Sequence, residues 1–123
     1  MAVNPRGADL KRYLAEDPGG PVVMLNLLRW RADDPEAGKA SYREYVAAFE
    51  EHSGRFGAEV VYAGTGLTAL VAEQGQDWDA VLLVRYPSRQ SFCDMVADPD
   101  YQRSTHLRTE ALEEAVLQAT TEW

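Results

Sequence analysis

The order of segments along the 123 residues predicts an α+β fold, a ferredoxin-like βαββαβ sandwich with a four-stranded antiparallel sheet. Three observations predict it. Strand-like apolar segments alternate with amphipathic segments, the two main helical segments follow the first and third strands, and 46% hydrophobic content suits one core. Helices would cover one face of the sheet, so the other face would be bare and apolar.

A short helix is predicted before the first strand, over about residues 9–16. Leu10, Tyr13 and Leu14 lie at i, i+3 and i+4, which places them on one face of a helix. Two prolines and two glycines in residues 17–21 end it. We therefore divide the chain into an N-terminal helical extension, residues 1–20, and a ferredoxin-like α+β barrel domain, residues 21–123.

The first strand carries an amide in an otherwise apolar run, residues 21–30. A buried amide without partners costs about 1–3 kcal/mol, so Asn26 should be satisfied by backbone or face a cavity. Side chains alternate between the two faces of a strand. With Val23, Leu25 and Leu27 assigned to the helices, Asn26 is predicted to lie on the opposite, barrel-lining face.

The middle of the chain predicts a loop over residues 31–39, followed by a helix. Ser41 and Glu44 have the spacing of a capping box, and Gly54 or Gly57 would end the helix. Its apolar face, interpreted as core, is Tyr42, Tyr45, Val46, Phe49 and Phe56. Residues 58–63 and 67–72 could form two strands or one long strand with a glycine bulge, and we favour the long strand.

The second half of the sandwich is predicted with clearer boundaries. Residues 80–86 form a strand that Pro87 ends, and Ser88 caps the next helix. That helix breaks at residues 98–99 and restarts toward Leu112. The β-branched segment over residues 115–123 is predicted to be the closing strand.

Charge and composition exclude several classes of protein. The formal net charge of −8 argues against nucleic-acid binding and against an anionic membrane surface. No apolar run is long enough for a membrane span, and the N-terminus lacks the apolar core of a signal peptide. The single cysteine, Cys93, cannot form an internal disulfide, and it is interpreted as a buried hydrophobe. The expected location is the cytoplasm.

The candidate ligand-binding residues are polar groups of the barrel-lining face. Asn26, Arg85 and Gln118 are predicted to share one apolar cavity there, and the Arg85 guanidinium would bind a carboxylate. An equally supported alternative is structural: Asn26 bonds a bulged backbone, and Arg85 pairs with a carboxylate at a dimer rim. No metal-ligand spacing occurs, so neither a metal nor a cofactor is expected.

A second group of candidates follows the break at residues 98–99. His106 is a weak catalytic candidate, because an imidazole titrates near neutral pH and can act as a general base. Tyr101 and Arg108 lie close to it in sequence and are predicted to line the cavity entrance.

Several short motifs resemble one family, the domain of unknown function thirteen-thirty, within the dimeric α+β barrel superfamily. The motifs are residues 23–27, Tyr42 with Tyr45, residues 57–60, residues 84–88, and residues 98–101 followed by Arg108. The resemblance implies a dimeric α+β barrel. That superfamily includes cofactor-free monooxygenases, muconolactone isomerase-like enzymes and haem proteins, so it does not select a reaction. The chain departs from the family in its N-terminal helix and in Arg85.

Two classes of function stay open from the sequence. One is a cofactor-independent enzyme, monooxygenase-like or isomerase-like, acting on a small and carboxylated organic molecule in the barrel cavity. The other is a non-catalytic dimeric protein with a ligand-binding or structural role. In both, a homodimer is expected, because a bare apolar sheet face needs a twofold partner.

Overall fold

The computed structural model describes residues 2–123, and its elements follow the predicted order. They are α1 (Gly7–Ala15), β1 (Val22–Trp30), α2 (Pro35–Ser53) with a 3₁₀ turn (Gly54–Phe56), β2 (Glu59–Thr65), β3 (Ala80–Tyr86), α3 (Arg89–Ala97), α4 (Pro99–Gln102), α5 (Thr105–Ala111) and β4 (Leu112–Thr120). Within residues 2–123, no helix is both long enough and apolar enough to cross a membrane.

The four strands form one sheet in the order β2-β3-β1-β4, with every neighbouring pair antiparallel. This is the sheet of a ferredoxin-like sandwich, and it confirms the predicted α+β fold. β1 is central, and Asn26 lies between Leu82 of β3 and Leu117 of β4.

The helices cover the face of the sheet that carries the even-numbered residues of β1. Val22, Met24 and Leu28 are buried in the core under the helices. The prediction that Val23, Leu25 and Leu27 face the helices was therefore wrong, and Asn26 is on the helix-covered face. Because β1 is apolar on both faces, the period of two could not tell which face the helices cover.

α2 begins six residues before the predicted capping box, so residues 31–34 form the predicted loop and residues 35–39 are helical instead. Asp34 caps the helix by accepting a hydrogen bond from Ala37 N at 3.1 Å, and Pro35 occupies the first turn. Ser41 instead donates to Leu107 O at 2.7 Å and ties α2 to α5. Gly57 ends the 3₁₀ turn at φ +72°.

The preferred long strand over residues 58–72 was also wrong. β2 ends at Thr65, and its bulge lies between Val60 and Tyr62 instead of at the glycines. Residues 66–79 form a loop closed by a hydrogen bond from Gly66 N to Asp79 O at 2.8 Å. A Cβ at Gly66 would lie 1.8 Å from Trp78 O, so only glycine fits this closure.

The second half follows the prediction, with one shifted boundary. The Ser88 side chain caps α3 through Ser91 N at 3.0 Å, and Asp98 caps α4. α5 ends at Ala111, so β4 begins at Leu112 instead of residue 115. Ala2 O accepts a hydrogen bond from Ala115 N at 2.9 Å, which fixes the N-terminal segment along the β4 edge.

Candidate functional site

A cavity of about 290 Å³ lies between the helix-covered face of the sheet and the helices. This volume is at the lower end of the range for small-molecule pockets, about 300–1,000 Å³. Most of its wall is apolar or aromatic. The sheet contributes Met24, Leu82, Val84, Tyr86 and Leu117, and the helices contribute Tyr42, Tyr45, Val46, Phe49, Phe92 and Met95.

The polar side chains in the wall come mainly from tyrosine, threonine and amide residues, and one polar side chain is charged. Asn26, Arg108 and the Tyr45–Tyr101 pair are partly or fully removed from water. Among the described residues that line the cavity, none carries a carboxylate, an imidazole or a thiol. The formal charge of this part of the wall is therefore +1, in a protein whose net charge is −8.

Arg108 is buried, with 6% of its surface exposed, and its guanidinium is incompletely paired. Nη1 donates to Val3 O at 2.5 Å and to Asn4 Oδ1 at 3.0 Å, so the N-terminal segment holds one side of the fork. Nη2 has no hydrogen-bond partner among residues 2–123. A buried cation with a spare donor favours an anion, because its desolvation is otherwise uncompensated.

Three phenols surround the polar part of the cavity. The Tyr45 and Tyr101 hydroxyls form a hydrogen bond at 2.8 Å, and the Tyr42 ring packs at a tilt against the Tyr45 ring, with 5.3 Å between the ring centroids. Burial raises the pKa of Tyr42 to about 12, and Arg108 opposes the rise. Burial, followed by the neighbouring Tyr101, raises the pKa of Tyr45 well above its ordinary value. Tyr42 and Tyr45 are therefore neutral hydrogen-bond donors at neutral pH.

Asn26 supplies an amide to the same wall. Its Nδ2 donates to Met24 O of its own strand at 3.3 Å, a long hydrogen bond that holds the carboxamide at the cavity surface. Asn26 was expected either to bond the backbone or to face a cavity, and it does both. The prediction placed Asn26 on the wrong face of β1, because a helix-covered face was expected to be wholly apolar.

The predicted site residues separate into two groups. Asn26, Tyr101 and Arg108 line the cavity, whereas Arg85, Gln118 and His106 are exposed and outside its wall. The prediction that Asn26, Arg85 and Gln118 share one cavity was therefore wrong. The cause is the reversed parity of β1, since Arg85 and Gln118 do lie on the uncovered face as predicted.

Tyr42 and Tyr45 are cavity residues that sequence reasoning interpreted as core. They belong to the core, but Arg108 influences the pKa of both hydroxyl groups. Their spacing of three residues placed them on one helix face. Nothing in that spacing showed that α5 would bring a guanidinium to the same side. No group of three or more His, Cys, Asp or Glu in residues 2–123 could hold a metal ion.

The opposite, uncovered face of the sheet is mainly apolar. Its register places Val23, Leu25, Leu27, Val81, Leu83 and Val116 together, with Tyr62 at one edge. Arg29 fixes the loop of residues 66–79 beside this face by donating to Asp77 O at 2.6 Å and Gly75 O at 2.9 Å. That loop exposes Leu67, Leu70 and Val71, the last at 98%.

Solved structures share this fold. A protein of unknown function from Rhodopseudomonas palustris is 30% identical, covering 98% of this chain and 96% of that chain, with a TM-score of 0.79. A dimeric ferredoxin-like protein of unknown function from Jannaschia sp. CCS1 is 10% identical, covering 84% and 100%, with a TM-score of 0.63. A putative antibiotic biosynthesis monooxygenase from Bacteroides thetaiotaomicron is 18% identical, covering 83% and 89%, with a TM-score of 0.57.

At this low sequence identity, the similarity to the last two proteins shows the fold alone. Several neighbours with this fold are described as dimeric. No curated protein matches the chain at a significant level. Residues 33–120 match one family over most of the chain, and they contain α2 to β4 and the phenols and arginine of the cavity. The chain belongs to the family described as Domain of unknown function (DUF1330).

Proposed function

We propose that this protein binds a small organic anion in the cavity under the helices and acts on it as a cofactor-independent enzyme, monooxygenase-like or isomerase-like. The proposal rests mainly on Arg108, because its buried Nη2 has no hydrogen-bond partner among the described residues. In addition, no acidic residue lines the described wall of the cavity. A carboxylate ligand would supply both the charge and the missing acceptor.

Two groups would act on the bound molecule. Arg108 would hold the carboxylate, and the Tyr45–Tyr101 pair would donate a hydrogen bond to an oxygen on which negative charge develops. The Asn26 carboxamide would orient a second polar group of the ligand. The shared fold of a putative monooxygenase is consistent with such chemistry, although fold alone does not determine a reaction.

A non-catalytic binding protein is the second candidate, and one observation favours it. The described wall holds no carboxylate, imidazole or thiol that could serve as a base or a nucleophile. Incubation of the identified ligand with the protein, followed by NMR, separates the two candidates. Catalysis predicts turnover that Tyr101→Phe reduces while ligand affinity changes little.

We also propose that the protein forms a homodimer through the uncovered face of its sheet. The apolar residues of that face and the exposed apolar loop beside it support this assembly, as do the dimeric neighbours with the same fold. A cytoplasmic location is part of the proposal and is supported by the single cysteine.

The binding proposal is tested by thermal shift with butanoate, benzoate and phosphate, and with the neutral analogue benzamide. At a hundredfold excess over the dissociation constant, ligand adds about 2.7 kcal/mol, or about 10 °C in a domain of this size. We expect at least one carboxylate to reach this shift and benzamide to give none.

Matched arginine variants complete the test. Arg108→Met should abolish the shift, whereas Arg85→Met, which removes the same charge from the uncovered face, should preserve it. A panel without any anion-dependent shift, or a shift lost in Arg85→Met and kept in Arg108→Met, would contradict the proposal.

A further inference from the structure

A second cavity, of about 300 Å³, lies beside the first one under α1. Its floor is apolar and comes from α1, α3 and the sheet: Leu10, Tyr13, Met24, Phe92, Leu117 and Ala119. Charged side chains among its lining residues come from α1 and its C-cap: Asp9, Arg12 and Glu16. We call this space the α1 groove. It is built largely from residues before the segment that matches the family.

The α1 groove exists because α1 is not packed tightly onto the sheet. None of its residues is fully buried. Instead, Arg89 holds the helix by donating to Tyr13 O at 2.7 Å and by stacking on the Tyr13 ring at 4.2 Å. Polar anchoring of this kind fixes a helix at a distance and leaves apolar space beneath it.

One polar atom of the residues that line the groove is unsatisfied. The Tyr13 hydroxyl oxygen is buried and has no hydrogen-bond partner among residues 2–123. Burial raises the pKa of Tyr13, and the nearby Arg89 opposes the rise. The hydroxyl is therefore a neutral donor, and such an orphaned buried group is uncommon in folded proteins.

The α1 groove and the cavity that contains Arg108 are adjacent. Pro5, Met24, Phe92 and Leu117 line both spaces, so these four side chains form the boundary between them. Met24 is an unbranched side chain with three rotatable bonds and can change rotamer to open this boundary. An elongated ligand could then occupy both spaces.

Charge gives the direction in which such a ligand would lie. Arg108 is the one cation in the described wall of the first cavity. The charged residues that line the α1 groove are two carboxylates and one guanidinium. An anionic head group is favoured at Arg108 and disfavoured beside these two carboxylates. The apolar floor of the groove suits a hydrocarbon chain.

We propose that the ligand is an amphipathic monoanion, with its carboxylate at Arg108 and an unbranched apolar chain that passes Met24 into the α1 groove. This inference rests on the proposed function and extends it by giving the substrate class. The Tyr13 hydroxyl would donate to an oxygen carried on that chain, so a chain with a distal hydroxyl or carbonyl is preferred over a plain one.

The test is isothermal titration of the full chain with sodium butanoate, hexanoate and octanoate. Each added methylene that enters the groove should tighten binding about threefold to fourfold. Leu10→Trp fills the groove and should flatten this dependence for the longer chains while butanoate binding is unchanged. Leu14→Trp, on the same helix but outside the groove, is the matched control and should preserve the dependence.

A second measurement addresses Tyr13. The protein should bind 8-hydroxyoctanoate more tightly than octanoate, and Tyr13→Phe should remove this preference without changing octanoate affinity. If Leu10→Trp does not fold by circular dichroism, Ala119→Leu fills the groove from the sheet side.

The outcomes separate this inference from the proposed function. Butanoate binding without a chain-length dependence, or with one that Leu10→Trp leaves intact, overturns the groove assignment and leaves the anion site standing. Failure of every carboxylate to bind at any chain length overturns both.

Discussion

The two faces of the sheet differ in how far their polar side chains are removed from water. On the uncovered face, Arg85 and Gln118 are exposed in the single chain, where water can reach both side chains. On the helix-covered face, Arg108, Asn26 and the Tyr45 hydroxyl are gathered around one cavity and largely removed from water. A guanidinium in water gains little from a ligand, whereas one with an unpaired buried donor gains much. Burial, more than residue type, therefore distinguishes a ligand site from an association surface.

The largest expected effect concerns the uncovered face as a dimer interface. Leu25→Lys places a charge at the centre of that face, opposite Leu83 and Gln118. An unpaired buried charge costs about 3–5 kcal/mol, so the dimer dissociation constant should rise at least a hundredfold. Light scattering at micromolar concentration should report a monomer for this variant and a dimer for the parent protein.

Ala47→Lys is the control for this change. Ala47 is exposed on α2, so this substitution adds the same charge away from the sheet. It should stay dimeric. A parent protein that is monodisperse and monomeric at micromolar concentration would refute the interface.

The second prediction compares neighbouring leucines of β1 that point to opposite faces. Leu28 is completely buried under the helices, and Leu27 lies on the uncovered face. In the Leu25→Lys background, where the uncovered face is wet, Leu28→Ala should cost about 2–5 kcal/mol of unfolding free energy. Leu27→Ala should cost less than half as much in urea denaturation. Equal losses would mean that the two faces are not distinguished by burial.

These leucines also show what the sequence could and could not predict. The apolar run identified β1 within one residue of its boundary, and Ser88 and Pro87 fixed the junction between β3 and α3. The face of β1 could not be predicted, because Leu27 and Leu28 are equally apolar and only the tertiary structure buries one of them. Alternation identifies a face when one side is polar, and neither side is polar here.

Two errors in the predicted secondary structure have different physical causes. The start of α2 was missed because two capping signals compete, and Asp34 followed by a proline at the first helical position prevailed over Ser41. The strand expected over residues 67–72 has high β propensity but no partner, since β3 begins at Ala80, directly after the loop closes. Propensity alone does not supply the hydrogen bonds that a strand needs.

The residues of the candidate site could be predicted from the sequence only in part. Tyr101 and Arg108 were predicted to line the entrance of a cavity on the other face of the sheet, and they line the cavity under the helices instead. The Tyr45 hydroxyl could not be assigned, because its partner Tyr101 is 56 positions away in the sequence. Only the packing of α2 against α4 and α5 brings these hydroxyls together.

The third prediction compares the two amides. Asn26→Leu and Gln118→Leu make the same type of change on opposite faces of adjacent strands. Asn26→Leu should weaken binding of the carboxylate ligand about tenfold, the effect of losing one hydrogen bond of about 1.4 kcal/mol. Gln118→Leu should leave binding unchanged. Titration calorimetry measures both, and equal affinities for the parent and Asn26→Leu would remove Asn26 from the site.

The smallest effect is a pH dependence confined to the helix-covered face. Burial raises the pKa of Tyr42 to about 12. An ordinary tyrosine in the unfolded chain titrates near pH 10, so the folded state holds this proton more tightly. The stabilisation is fully present below pH 10 and is lost as the pH rises toward 12. By pH 11 the loss attributable to Tyr42 should be about 1 kcal/mol.

The measurement is the free energy of unfolding at pH 8 and pH 11 for three proteins: Leu25→Lys alone, and Leu25→Lys combined with Tyr42→Phe or with Tyr62→Phe. Leu25→Lys keeps the protein monomeric, so no partner covers Tyr62. Tyr62 lies on β2 with 54% of its surface exposed and serves as the matched control. Tyr42→Phe should reduce the alkaline loss by about 1 kcal/mol, because the phenyl ring has no proton to lose. Tyr62→Phe should not reduce it. The same alkaline loss in all three proteins would mean that Tyr42 ionises as freely as an exposed phenol. The cavity would then be open to water, and the unpaired Arg108 donor would no longer require an anion.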